Sequence, residues 1–348
     1  MLMIIAHHYV VNSGLNTFYD FKNITGNMIF LQLFGFGGKT GINCFLLITG
    51  YFMCKQDFSF KKLLKLYFEI KFYTFLFYFI FLASGYEPFS FTELFKTVFN
   101  VAYWMNNGFI GTFIALYLII PFLNILIRNI DQKSHSTLIG ILILIYTITS
   151  TFFYNWTYEY LGWYSTIYII GAYIRIYENK VFTKLKLSVL LSCVSLILAW
   201  LSIIIIDYFA PTPKSGQIPY YYFVSDSNKL LALLCSISFF MMFKNITIKQ
   251  NMIINTLAAS TLGILLIHAN SDTMRKFLWK DLLKNASYYN SSYLVIHAIC
   301  SVVCVYIVCF TIDYCRIRFI EMPLFNKIDR NEEKLLDYYK KFKAKFAN

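Results

Sequence analysis

Apolar residues along this chain gather in windows of about 20, long enough for each window to cross a ~30 Å hydrocarbon core as a helix. After an opening run, Met1 to Val11, the candidate crossings are Phe36–Met53, Leu66–Ala83, Phe109–Ile127, Thr137–Phe153 and Trp163–Arg175. Leu185–Ile206, Lys229–Phe243, Met252–Asn270 and Ser292–Ile312 follow, and Phe91–Asn100 reads as an extra interfacial helix. The opening run breaks at Asn12 and is too short to span. It is therefore expected to be the remainder of a first helix whose N-terminal part is truncated, for a total of about ten transmembrane helices. No internal repeat or soluble domain is visible. The expected fold class is all-α, a polytopic membrane helical bundle, with a membrane domain over 1–325 and a basic tail over 326–348.

Composition supports that reading. Of 348 residues, 58% are hydrophobic and 14% charged, whereas a soluble domain carries about 25% charged residues. The net charge of +13 does not point to nucleic acid, because the cations lie in short loops and in the tail. Lys55, Lys61, Lys62 and Lys65 share one loop, with Arg128 and Lys133, then Arg175 and Lys180 to Lys186, then Lys244 and Lys249, in alternate later loops. Intervening loops are poor in cations, apart from Arg275, Lys276, Lys280 and Lys284. The positive-inside rule then puts the rich loops and both termini in the cytoplasm, with the tail held near anionic lipid. No basic leader or small-residue cleavage site marks a signal peptide.

Ionisable groups at lipid depth are expensive and so are candidates for function. His7 and His8 are adjacent on the first helix, about 100° apart around its axis, so one is expected to be functional and the other structural. His268 closes the run Leu262–His268, and His297 opens the last crossing. His135 falls in a short cytoplasmic loop. His297, Cys300 and Cys304 share a helical face, but three-ligand sites inside membranes are rare and packing is the preferred reading; no metal is expected. The eight cysteines show no CxxC pair and behave as small hydrophobes. Lys62, Lys65 and Glu69 lie at i, i+3, i+7. They suit either a phosphate-bearing ligand or snorkelling to headgroups. Gly37-Gly38-Lys39-Thr40 is not a phosphate loop, because that motif needs a glycine where Leu33 stands.

Several stretches together resemble acyltransferase family 3, the multi-pass membrane acyltransferases, and within it the capsular and exopolysaccharide O-acetyltransferases. They are Ile42-Asn-Cys-Phe-Leu-Leu-Ile-Thr-Gly-Tyr-Phe52, Ala115-Leu-Tyr-Leu-Ile-Ile-Pro-Phe-Leu-Asn124, Tyr168-Ile-Ile-Gly-Ala-Tyr-Ile-Arg175, Thr261-Leu-Gly-Ile-Leu-Leu-Ile-His268 and Arg318-Phe-Ile-Glu-Met-Pro323. The resemblance implies transfer of an acetyl group from cytoplasmic acetyl-CoA to a hydroxyl of a cell-surface or lipid-linked polysaccharide, in a bacterial inner membrane. It makes His8 the counterpart of the histidine in the family's R-x10-H signature, whose arginine would precede Met1. Lys62 and Lys65 correspond to the family's basic pair, and with Arg175 they are the expected contacts for acetyl-CoA. His7, Gly50, Tyr51, His268, Arg318 and Glu321 are substrate-binding or structural candidates. No permanently bound cofactor is expected; the partners are acetyl-CoA, the glycan and membrane lipid. A neutral imidazole acting as general base and a covalent acetyl-histidine remain equal alternatives. A transporter or glycan flippase is the rival reading, and a membrane scaffold the third.

Overall fold

The computed structural model describes residues 1–104, 108–153, 159–177, 183–209 and 220–330, and the described residues contain helices and no strand. The chain begins with α1 (Leu2–Val11), a helix of ten residues that is about 15 Å long at 1.5 Å per residue, half the depth of a bilayer core. Next come α2 (Gly26–Gly35), started by the Thr25 hydroxyl accepting from the Met28 amide, and α3 (Gly38–Met53). The pair forms one apolar run, Gly26–Met53. It starts ten residues before the expected Phe36 because Asn27 and Gln32 dilute the hydropathy of a turn that packs well.

The chain continues through α4 (Phe60–Ala83), α5 (Phe91–Trp104) and α6 (Phe109–Arg128). Helix α7 (Gln132–Ile143) passes through a π-turn into α8 (Thr149–Phe152), and α9 (Tyr160–Ile176) and α10 (Leu185–Phe209) follow. Then come α11 (Leu230–Asn245), α12 (Met252–Ala259) and α13 (Thr261–His268), a short α14 (Asp272–Lys276), and α15 (Leu294–Arg316). The last helix runs on without a break to Arg330.

Among the described residues, six runs are long and apolar enough to cross a membrane. With the shorter apolar helices α1, α9, α11 and α12–α13 they account for the segments expected from the sequence. Two expectations need correction. Lys61, Lys62 and Lys65 lie on the first turns of α4 and not in a loop. His135 is not a loop residue: Asp131 caps α7 by accepting from the Ser134 amide, and one turn on, the wholly buried His135 ring meets the Ile169 carbonyl at 3.1 Å. Residues 326–330, where the expected tail starts, continue the last helix; the rest of that tail lies outside the described residues.

Two aromatic-rich cores hold the bundle. Ile5, Tyr9, Tyr73, Ile264 and Leu294 join α1, α4, α13 and α15, while Leu46, Leu47, Leu116, Trp163 and Tyr168 join α3, α6 and α9. Leu190, Ile197, Phe209, Ile296 and Ile307 stay exposed on α10 and α15, as expected of surfaces that face acyl chains. Close approach depends on small residues, as is usual between membrane helices. A Cβ on Gly50 of α3 would run into the Tyr168 carbonyl of α9, and one on Gly171 would meet the Leu47 carbonyl. Gly50 is thus a packing residue.

Candidate active site

Helix α1 lies along the α2–α3 run on a row of glycines: Val10, Met3, His7 and Ile4 rest on Gly35, Gly37, Gly38 and Gly41 respectively. That contact fixes its rotation. His7 points back into the seam, its ring against Gly38 and its Nδ1 2.8 Å from the Gly35 carbonyl. A carbonyl only accepts, so Nδ1 carries the proton and His7 acts as a structural tie.

His8, a hundred degrees further round, faces α13. Its Nδ1 lies 3.0 Å from Nε2 of His268, and Nδ1 of His268, a wholly buried ring, lies 2.5 Å from the Ile264 carbonyl. The protons follow from the partners, as network logic requires. The Ile264 carbonyl can only accept, so His268 Nδ1 is the protonated nitrogen and, in the neutral ring, His268 Nε2 is bare. His8 Nδ1 must therefore donate to it. That leaves the lone pair of neutral His8 on Nε2, which no described residue engages.

His8 lines a cavity of about 370 Å³. Its walls are mainly apolar (Ile4, Ile42, Phe45 and Leu262 among them), and Gly108, Asn270 and Arg275 stand at its polar edge. That edge is at the end of the bundle where α4 finishes and α6 begins. On the other side of α1, Tyr9 bonds His297 at 2.9 Å and Tyr288 stacks on the His297 ring at 3.7 Å. His297 is thus held by the Tyr9 hydroxyl and the Tyr288 ring. Cys300 and Cys304 are exposed, and no cluster of three metal-ligating side chains exists among the described residues.

The opposite end of the bundle carries the cations. Lys62 bonds Gln56 at 2.5 Å, Lys65 pairs with Glu321 at 3.7 Å, and Arg175 bonds the Tyr51 hydroxyl at 2.9 Å with its guanidinium 4.8 Å from that ring. Tyr51 is therefore the residue that holds Arg175. Between α4 and α15 lies a buried ionic group. Arg316 reaches Asp313 at 2.9 Å, Glu69 at 3.1 Å and Glu321 at 2.5 Å. Tyr73 donates to Asp313 at 2.7 Å.

A family model described as an acyltransferase domain, that of acyltransferase family 3, matches residues 1–314. The chain belongs to acyltransferase family 3. Comparison with curated proteins and with solved structures gave no significant match. As a member of acyltransferase family 3 the protein is a multi-pass membrane acyltransferase.

Within this acyltransferase the expected residues separate into two places. His8 and His268 meet at the cavity, whereas the lining of that cavity includes none of Lys62, Lys65 and Arg175. The basic residues gather at the other end, close to Tyr51 and Glu321. Arg318 is exposed and takes no part in the ionic group; Arg316, two residues earlier, faces inward and binds Glu321, which lies five residues on across the π-turn at Ile317–Glu321. Asp313, Arg316 and Glu69 did not stand out as a group in the sequence. The available signal was an acid and a base at i, i+3 inside an otherwise apolar segment, an expensive placement that calls for partners.

Proposed function

We propose that the protein transfers an acetyl group from cytoplasmic acetyl-CoA to a hydroxyl of a cell-surface or lipid-linked polysaccharide, with His8 as general base. The observation that carries the reading is the chain His8–His268–Ile264, which leaves the basic nitrogen of a neutral imidazole without a partner on a side chain that lines a cavity. A sugar hydroxyl is a weak nucleophile at neutral pH. Nε2 of His8 takes its proton as the oxygen attacks the thioester carbonyl; the new C–O bond forms, the C–S bond breaks, and the departing thiolate recovers the proton from the imidazolium. During that interval Nδ1–H of His8 still donates to His268, so the positive charge is shared across two rings. Such assistance is typically worth 10²–10⁴-fold.

Lys62, Lys65 and Arg175 are the residues proposed to meet the phosphates of acetyl-CoA at the basic end, which this reading places in the cytoplasm of a bacterial cell together with both termini. The thioester end then reaches the His8 cavity from its Met1 side. Lysine supplies charge to a phosphate without the paired fork of arginine, so binding here relies on several single contacts.

The test is acetylation in membranes carrying the protein, followed with labelled acetyl-CoA. His8→Ala and His8→Gln should each lower transfer to polysaccharide by about 10²–10⁴-fold while the protein is still made and still folded. Label arriving in polysaccharide at the wild-type rate in either variant would overturn the assignment.

A further inference from the structure

A second hollow, of about 550 Å³, adjoins the His8 cavity and shares Gly108, Asn270 and Arg275 with it. Its walls come from the second half of α4, the start of α5, and α14 with the turn before it. The two spaces differ in chemistry. Around His8 the lining is apolar, whereas the second hollow is lined by Glu87, Glu93, Asp272, Tyr78 and several hydroxyls. We propose that this second hollow binds the acceptor saccharide, and that it takes a neutral, hydroxyl-rich sugar in preference to an anionic one. The word acceptor rests on the transferase reading; the binding itself does not.

Three observations carry the proposal. First, each carboxylate has a partner yet keeps acceptor capacity. Glu87 accepts from Thr273 at 2.8 Å, Glu93 pairs with Lys96 at 2.6 Å, and Asp272 pairs with Arg275 at 3.0 Å. An ionised carboxylate offers about four lone-pair sites, so each retains places for a sugar hydroxyl. Second, the Tyr78 hydroxyl is buried and has no hydrogen-bond partner among the described residues, although it belongs to a side chain lining the hollow. A buried hydroxyl without a partner is costly, and a sugar hydroxyl would satisfy it. Third, three acids stand against two cations, Lys96 and Arg275, leaving a net negative lining. Like charges placed together against such a wall are penalised, which disfavours uronic or phosphorylated sugars.

The shared edge connects this site to the reaction. Asn270 and Arg275 border both spaces, so a saccharide in the second hollow has a path for one hydroxyl towards His8. The loop that carries Glu87 is also tied down: Tyr86 donates to Asp281, and that hydrogen bond holds the phenol up at about 12, so it remains a donor throughout the neutral range.

The experiment is saturation-transfer NMR on the full chain in detergent, titrated with neutral trisaccharides (maltotriose, cellotriose, laminaritriose and mannotriose) and with the anionic tri-galacturonate. At least one neutral trisaccharide should bind, and more tightly than tri-galacturonate. Glu87→Gln with Glu93→Gln should weaken it about tenfold or more, and Tyr78→Phe by about two- to tenfold, with melting temperatures close to wild type. His8→Ala should bind as wild type does. Absence of binding by every neutral trisaccharide, tighter binding of tri-galacturonate, or full binding by the folded carboxamide variant would each overturn the proposal. Binding that behaves as expected in a protein that transfers no label would leave this site standing and remove the transferase reading. Label transfer by a protein that fails the binding series would do the reverse.

Discussion

Replacing His268 by alanine asks whether His8 depends on its neighbour. His268 is wholly buried, and its Nε2 is the acceptor for the His8 Nδ1–H. Alanine leaves that N–H without a partner in a dry site, a cost of about 1–3 kcal/mol. The cost grows when the ring becomes an imidazolium with two protons to place. Because every 1.36 kcal/mol is tenfold in rate, kcat should fall by about 5- to 150-fold. The donor KM should hold, since the cations assigned to acetyl-CoA sit at the other end of the bundle. Alanine also removes a ring packed near Trp279, at 6.5 Å between centroids, so a second variant is needed to separate packing from hydrogen bonding. His268→Gln keeps most of the volume and supplies an oxygen that accepts from Nδ1–H; it should recover much of the lost rate. Initial rates of labelled acetyl transfer at varied acetyl-CoA, on variants matched for melting temperature, give both constants. A wild-type kcat in the alanine variant, a loss confined to KM, or a glutamine variant no better than alanine would refute the tautomer argument.

Other substitutions test the frame. Arg316→Met should lower the melting temperature in detergent severely, because removing one partner of a buried ionic group typically costs about 3–5 kcal/mol. Arg316→Lys should recover part of it, and an unchanged melt in Arg316→Met would mean that the group is hydrated. Gly50→Ala places a Cβ on the Tyr168 backbone and should cost about 1–3 kcal/mol of overpacking, read as a lower melting temperature; a neutral effect would show that α3 and α9 separate easily. His7→Ala removes the tie to the Gly35 carbonyl and the ring that rests on Gly38, so thermal stability should drop, while transfer should fall far less than in His8→Ala. A loss of transfer as deep as that of His8→Ala would reverse the assignment of the two histidines.

Much of this fold was legible from hydropathy, because the bilayer makes one demand on every crossing. The element boundaries were less so wherever packing and hydropathy disagree: α2 begins among Gly26, Asn27 and Gln32, and α7 begins at an aspartate cap that a hydropathy window reads as loop. His8 and His268 were each marked by an ionisable ring in an apolar run. Their contact was not foreseeable, because 260 positions separate them and periodicity carries no information across that distance. Arg316 shows the opposite failure. The motif around Glu321 directed attention to Arg318, whereas the arginine that faces inward is Arg316, which Glu321 meets across the π-turn that follows α15.

The ionic group between α4 and α15 bears on how the chain is built. Glu69 enters the membrane with α4, whereas Arg316, which neutralises it, is translated some 250 residues later, a delay of about 12–50 s at ordinary elongation rates. During that delay the half-made protein holds an acid at lipid depth without its counter-ion, so Glu69 must be carried protonated or wait near the interface. Arrival of the last helix is thus the step that completes the ionic group joining α4 to α15, and a chain stopped before Arg316 lacks the counter-ion of Glu69.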